Sequence, residues 1–197
     1  MWLLLLIILG TQSQAQESFR STVDFFKEEI TLKVDDSTAS ISGLYYFRNN
    51  GDFSGEFPVQ FPFYIDSLSL FPNSFKAYVI ISGDTTLLWT RRVKDTIVLR
   101  VPIMTRGVTS WHLDYNQRIL DSRAVYIITS TASWGKPLEE AAYRFVAPAD
   151  FKSVETWPEA DTIWVKDDYR VYISRKTDFM PDRNMEIKWL SSDKTIR

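Results

Sequence analysis

The sequence predicts an all-β fold, an antiparallel β-sandwich of about eleven or twelve short strands. Three observations carry this expectation. Apolar residues recur with period two along almost the whole chain, and turn residues interrupt them at short intervals. No sustained helical period appears. The chain also carries 13 Phe, 9 Tyr and 7 Trp against only 7 Gly, which suits two sheets whose inner faces hold large rings.

The elements follow in order. EITLKVD sets Ile30, Leu32 and Val34 on one face, and after a turn at Asp35 to Ser37, TASISGLYYF sets Ala39, Ile41, Gly43, Tyr45 and Phe47 on one face. Asn49 to Asp52 contains Asn-Gly, a strong hairpin signal because both residues tolerate positive φ. EFPVQFPF alternates Phe57, Val59 and Phe61, but Pro58 and Pro62 lack amide donors, so this strand belongs at a sheet edge. FKAYVIISGDTTLLWTRR reads as a second hairpin, turning at Ser82 to Asp84. DTIVLRV then buries Ile97, Leu99 and Val101. VTSWHLDYNQ places Trp111, Leu113 and Tyr115 opposite Ser110, His112 and Asp114. RAVYIITS and EAAYRFVAP follow, and after Pro148 come SVETW, DTIWVKD, YRVYISRK and NMEIKWL. Only Gln117 to Ser122 and Pro137 to Ala141 are compatible with a helical turn.

The N-terminus reads as a secretory signal peptide over residues 1–15. Residues 2–9 are uninterruptedly apolar, and Ser13-Gln14-Ala15 is a small-x-small cleavage pattern. A helix of that run spans about 12 Å, well short of the ~30 Å bilayer core. The n-region departs from the rule in having no Lys or Arg. The mature chain is expected to begin at Gln16, to be periplasmic, extracellular or on the cell surface, and to have no stable membrane insertion after cleavage. A β-sandwich domain is expected over 16–148, with 149–197 either completing it or forming a small second β unit. The absence of Cys removes thiolate metal sites, Cys nucleophiles and redox chemistry. A net charge of −2 with no long basic run disfavours nucleic acid as a partner.

Candidate reactive groups are few. Ser133 and Lys136 form S-x-x-K, the spacing of serine acyltransferases. Pro137 biases Lys136 to extended backbone, Gly135 favours a turn, and the partner motifs are missing, so a strand-to-strand loop with Trp134 folded onto the sandwich is expected. His112 is the only histidine. Asp114 shares its strand face, but no nucleophile elbow accompanies them. One His cannot build a zinc site. The acidic pairs Asp35-Asp36, Glu139-Glu140 and Asp167-Asp168 fall in no calcium-loop motif. The sequence therefore assigns no catalytic, cofactor or metal site. Trp89, Trp134, Trp157 and Trp164, near strand ends or loops, are candidates for stacking on a ligand, against the alternative that alternation turns such rings inward.

WHLDYNQRI (Trp111 to Ile119), AVYIITSTASWGKPLEEAAYRF (Ala124 to Phe145) and FMPDRNMEIKWL (Phe179 to Leu190) resemble exported bacterial immunoglobulin-like β-sandwich proteins of unknown function. In that pattern a Y-x-Q strand precedes Y-x-x-T-x-x-x-W-x-x-P, and a P-D-x-N turn leads into the last strand. Tyr115, Gln117, Tyr126, Thr129, Pro181, Asp182 and Asn184 match, with Trp134 and Pro137 matching within one residue of spacing. The resemblance implies an exported immunoglobulin-like sandwich and supplies no activity. The function expected is a non-catalytic binding or structural module of the cell envelope, with an envelope protein or glycan as partner and no cofactor. The alternatives are a small hydrolase of envelope glycans or peptides, and a carbohydrate-binding module using exposed Trp. The edge strand at Pro58 to Pro62 offers partners a strand-addition route, which its prolines restrict.

Overall fold

The computed structural model describes residues 22–81 and 83–190; the expected signal peptide lies outside them. These residues form fourteen strands and one 3-10 turn. An eight-stranded sheet has the order β12-β13-β10-β1-β2-β8-β4-β5, and two three-stranded sheets, β3-β7-β6 and β11-β14-β9, make up the rest. Rings of the large sheet meet rings of the small ones, as where Tyr45 packs edge-on to Phe61 and Phe47 edge-on to Phe57. The arrangement is that of a β-sandwich whose second layer is split in two.

The large sheet grows from β1 (Val23–Val34) and β2 (Thr38–Asn49). Asp35 Oδ1 accepts the amides of Ser37 and Thr38 at 3.0 and 2.8 Å, closing the turn between them. A β-bulge interrupts the ladder between Phe25 and Lys27. Before it, Val23 and Phe25 are buried; beyond it the phase moves by one, and Glu28, Ile30, Leu32 and Val34 face inward. β8 (Val108–Arg118) pairs with β2 along its length, burying Trp111, Leu113, Tyr115 and Gln117. β4 (Ser74–Ile81) and the short β5 (Asp84–Leu87) extend that edge through a turn at Gly83, whose φ is +91°.

On the other side of β1 lies β10 (Leu138–Pro148), and this pair is parallel. The expectation of antiparallel pairing is corrected at this ladder. Two strands that run the same way need a long crossover, and here most of the chain lies between them. β13 (Tyr169–Phe179) and β12 (Thr162–Lys166) finish the sheet. In the second layer, β3 (Gly55–Pro62), β6 (Thr90–Val93) and β7 (Thr96–Ile103) cover one part of the large sheet. β9 (Arg123–Tyr126), β11 (Lys152–Trp157) and β14 (Met185–Leu190) form the other small sheet. Ile97, Leu99, Met185 and Ile187 are fully buried there.

Three local expectations are corrected. Asn50-Gly51 does not close a hairpin, because β2 pairs with β1 and β8 while β3 pairs with β7 in the other layer. Asn49 holds this crossing: its side chain donates to the carbonyls of Phe53 and Met104 and accepts the Gly51 amide. The helical turn falls at Thr129–Trp134, not at Gln117 to Ser122 or Pro137 to Ala141. Gln117 is instead an inward residue of β8 whose amide donates to the Tyr64 carbonyl at 2.5 Å. Third, the hairpin expected over Phe75 to Arg92 forms as β4 and β5 about Gly83 but ends at Leu87, and Thr90 to Arg92 pass to β6, which joins β7.

β3 lies at a sheet edge, as its prolines require. Pro58 and Pro62 present a donor-poor edge away from β7, so β3 cannot extend a full ladder toward β9. The second layer stays open along that seam.

Gly43 tests the packing beneath the seam. A Cβ built there would stand 2.1 Å from Tyr45 Oη, because the tyrosine ring folds back over the glycine. Gly43→Ala is expected to destabilise the protein by about 1–3 kcal/mol, the usual range for overpacking a core, read as a lowered urea midpoint with unchanged slope.

Candidate functional site

Glu28, Tyr45 and Trp111 are direct cross-strand neighbours on the inner face of β1, β2 and β8. Tyr45 stacks on Trp111 with centroids 4.2 Å apart. Above this row the seam opens as a cavity of about 460 Å³. Its walls come from β1, β2, β3, β8, the end of β9 and the 3-10 turn, with Phe25, Phe47, Phe57, Phe61 and Trp134 supplying rings. Trp134 is held by Phe47 at 5.2 Å and by a stacked Phe57 at 5.7 Å.

The polar floor is unusual for such a core. Glu28 is 2% exposed. Its Oε1 accepts a hydrogen bond from the Tyr143 hydroxyl at 2.6 Å. Among the described residues no Lys, Arg or His forms an ion pair with it. Burial pushes its carboxyl up to about 7, against the lowering effect of the Tyr143 hydrogen bond. Tyr45 and Tyr126 share a hydrogen bond of 2.6 Å between their hydroxyls. Burial, with the nearby Glu28 charge adding to it, raises both phenols well above their ordinary range, as it does Tyr143. These hydroxyls stay protonated at neutral pH. The Trp111 indole N–H is also buried, with no acceptor among the described residues.

At the mouth, Ser133 and Lys136 do not act on one another. Ser133 Oγ donates to the Ser130 carbonyl at 2.7 Å, and Lys136 Nζ binds Asp24 Oδ1 at 2.8 Å. Gly135, with φ +70°, ends the turn. The S-x-x-K spacing is the turn that its proline and glycine indicate. His112 lies on the outer face, its ring stacked 4.7 Å from that of Tyr78, while Asp114 accepts the Ser42 hydroxyl at 2.7 Å. Of the acidic pairs, Glu139 binds Arg48 through both oxygens and Glu140 binds Lys27, while Asp35 caps the β1–β2 turn.

The four candidate stacking residues occupy four different places. Trp89 is 52% and Trp164 47% exposed, and Arg100 covers the Trp89 ring at 5.3 Å. Trp157 is half-buried beneath the Arg183 guanidinium at 4.6 Å and lines a separate groove with Phe179. Trp134 lines the seam cavity. No two of the four rings pack on each other among the described residues. Glu28 was missed in the sequence, although it lies two residues before Ile30 and shares the phase of Ile30, Leu32 and Val34. That phase was its signal.

Comparison of the sequence with family models and with curated proteins finds no match. Solved structures do resemble the fold. A "putative nutrient binding protein" from Legionella pneumophila gives a TM-score of 0.64 at 11% identity, over 86% of this chain and 67% of that one. An M1 zinc metallopeptidase from Deinococcus radiodurans gives 0.52 at 8% identity, over 85% of this chain and 42% of that one. The chain thus spans less than half of the metallopeptidase. At these identities the likeness is one of fold, and a single His cannot supply the paired histidines of an H-E-x-x-H zinc site.

The Glu28 carboxyl makes stability pH-dependent. It titrates near 4.5 when free and near 7 when buried, so between these values the folded protein holds a proton that the unfolded chain has released. Its stabilising contribution is full below pH 4.5 and is lost as pH rises through 7, on the order of 3 kcal/mol in all. Glu28→Gln is expected to remove this slope and to be more stable than the wild type at pH 8. Urea denaturation at pH 5 and pH 8 measures both.

Proposed function

We propose that the chain is an exported immunoglobulin-like sandwich that serves as a non-catalytic binding module of the bacterial cell envelope. The observation that carries this reading is the seam cavity. It is concave and ring-lined, with a few converging polar groups, the general make-up of small-ligand sites. The Legionella protein, described as nutrient-binding, supports the same reading through its fold. The leader-like residues 1–15 support export.

Two measurements test it. Expressed with its leader in a bacterial host, the chain is expected in the envelope or medium with a mass that starts at Gln16; an intact leader on cytoplasmic protein would refute export. Trp111 and Trp134 line the cavity, so their fluorescence reports occupancy. Titration with a library of small metabolites and envelope-derived glycans is expected to give a saturable change, and Trp134→Ala to weaken that binding about tenfold or more. A library with no saturable responder would refute the binding reading.

A small hydrolase is the second reading, and one observation favours it. A carboxyl still protonated near neutrality is the form that a general acid requires, and Glu28 has that property. Turnover of envelope glycan or peptide fragments, lost in Glu28→Gln, would establish it.

A further inference from the structure

We propose that the seam cavity takes a small organic ammonium, its positive head against the Glu28 carboxylate and its apolar body among Phe57, Phe61 and Trp134. This rests on the binding reading above and names the ligand class.

The charges around the cavity are unevenly paired. Among the described residues, the carboxylate and ammonium groups that line the cavity are Asp24, Glu28 and Lys136. Lys136 binds Asp24 at the mouth, and Asp24 also accepts from the Asn50 amide at 2.8 Å, so those two charges satisfy each other. Among the described residues Glu28 is left inside with one neutral donor, Tyr143. The other titratable groups on the walls are the phenols Tyr45 from β2 and Tyr126 from β9, and their hydroxyls are occupied with each other. β3 brings none, only Phe57, Pro58, Val59, Gln60, Phe61 and Pro62. A buried carboxylate without a cation is a costly arrangement. A ligand that brings the cation relieves it, whereas an anionic or neutral ligand does not.

The walls agree with the floor. Ring faces attract an ammonium head, most strongly where water is excluded, and Trp is the best of them. Phe25, Phe47, Phe57, Phe61, Trp111 and Trp134 all border the space. A volume of about 460 Å³ admits a molecule of the size of an arylalkylamine or a choline-like base. A primary ammonium would add hydrogen bonds to the carboxylate, and a quaternary one would rely on the rings.

The experiment titrates the full mature chain with 2-phenylethylamine, choline and the neutral 2-phenylethanol, following Trp fluorescence and calorimetric heat. One or both cations are expected to bind saturably and at least tenfold more tightly than 2-phenylethanol. Only ionised Glu28 is competent, so affinity is expected to be about tenfold higher at pH 8 than at pH 6, following the competent fraction. Glu28→Gln is expected to lose the preference for the cation and the pH dependence while keeping the wild-type far-ultraviolet dichroism. Should that variant not fold, the comparison of cation with alcohol on the wild type decides alone. Equal binding of amine and alcohol, or no response to either cation at millimolar concentration, would overturn the proposal. A neutral or sugar ligand that quenches Trp134 while both cations are silent would overturn it and leave the binding reading standing.

Discussion

β1 is the strand on which the molecule depends, because it joins a local antiparallel ladder to the one parallel ladder among the described residues. Its antiparallel ladder with β2 is local, closed by a three-residue turn. Its parallel ladder with β10 joins residues more than a hundred positions apart, Ile30 opposite Tyr143 and Leu32 opposite Phe145. That contact ties the β2-β8-β4-β5 part of the large sheet to β10-β13-β12. A single displaced residue in β1 matters correspondingly. The bulge at Phe26 turns the strand by one phase, so Phe25 and Glu28, three residues apart, both enter the interior. Without it, burying Phe25 would send Glu28 to solvent and Lys27 inward.

The interior that results combines opposing terms. Rings packed edge-to-face around Phe61, Phe47 and Tyr45 gain burial and quadrupole attraction. Against this stand a buried carboxyl and an indole N–H without an acceptor among the described residues, each of which costs free energy. The phenol of Tyr143 offsets part of the carboxyl's cost, and a retained proton removes much of the remainder near neutrality. A core optimised for stability alone would place an apolar side chain at position 28. Polar groups that cost stability tend to persist where they recognise something.

The opening above them has a backbone cause. A continuous second layer would need β3 and β9 to pair, and prolines at 58 and 62 withhold two of the donors such a ladder needs. The gap is bridged instead by side chains: Trp134 over Phe57, and Arg123 of β9 paired with Glu186 and within reach of Tyr64 and Asp66. The cavity is thus a consequence of strand chemistry, and the 3-10 turn at Thr129–Trp134 supplies its rim.

Period-two alternation was enough to predict the sandwich class and the inward faces of β1, β2, β7, β8 and β14, and Pro58 and Pro62 the edge position of β3. Each of these follows from local rules, since side-chain direction alternates along any extended strand and a missing amide donor is a property of the residue itself. Pro137 and Gly135 likewise mark Ser133 and Lys136 as turn residues through local backbone preference alone. The tertiary structure alone decided the parallel β1–β10 pairing, the division of the second layer, and the meeting of Glu28, Tyr45, Tyr126 and Tyr143 in one place. Those residues come from four strands spread over more than a hundred positions. Their burial and shifted titration arise from desolvation by neighbours that are distant in the chain, and no short window of sequence encodes which neighbours those will be.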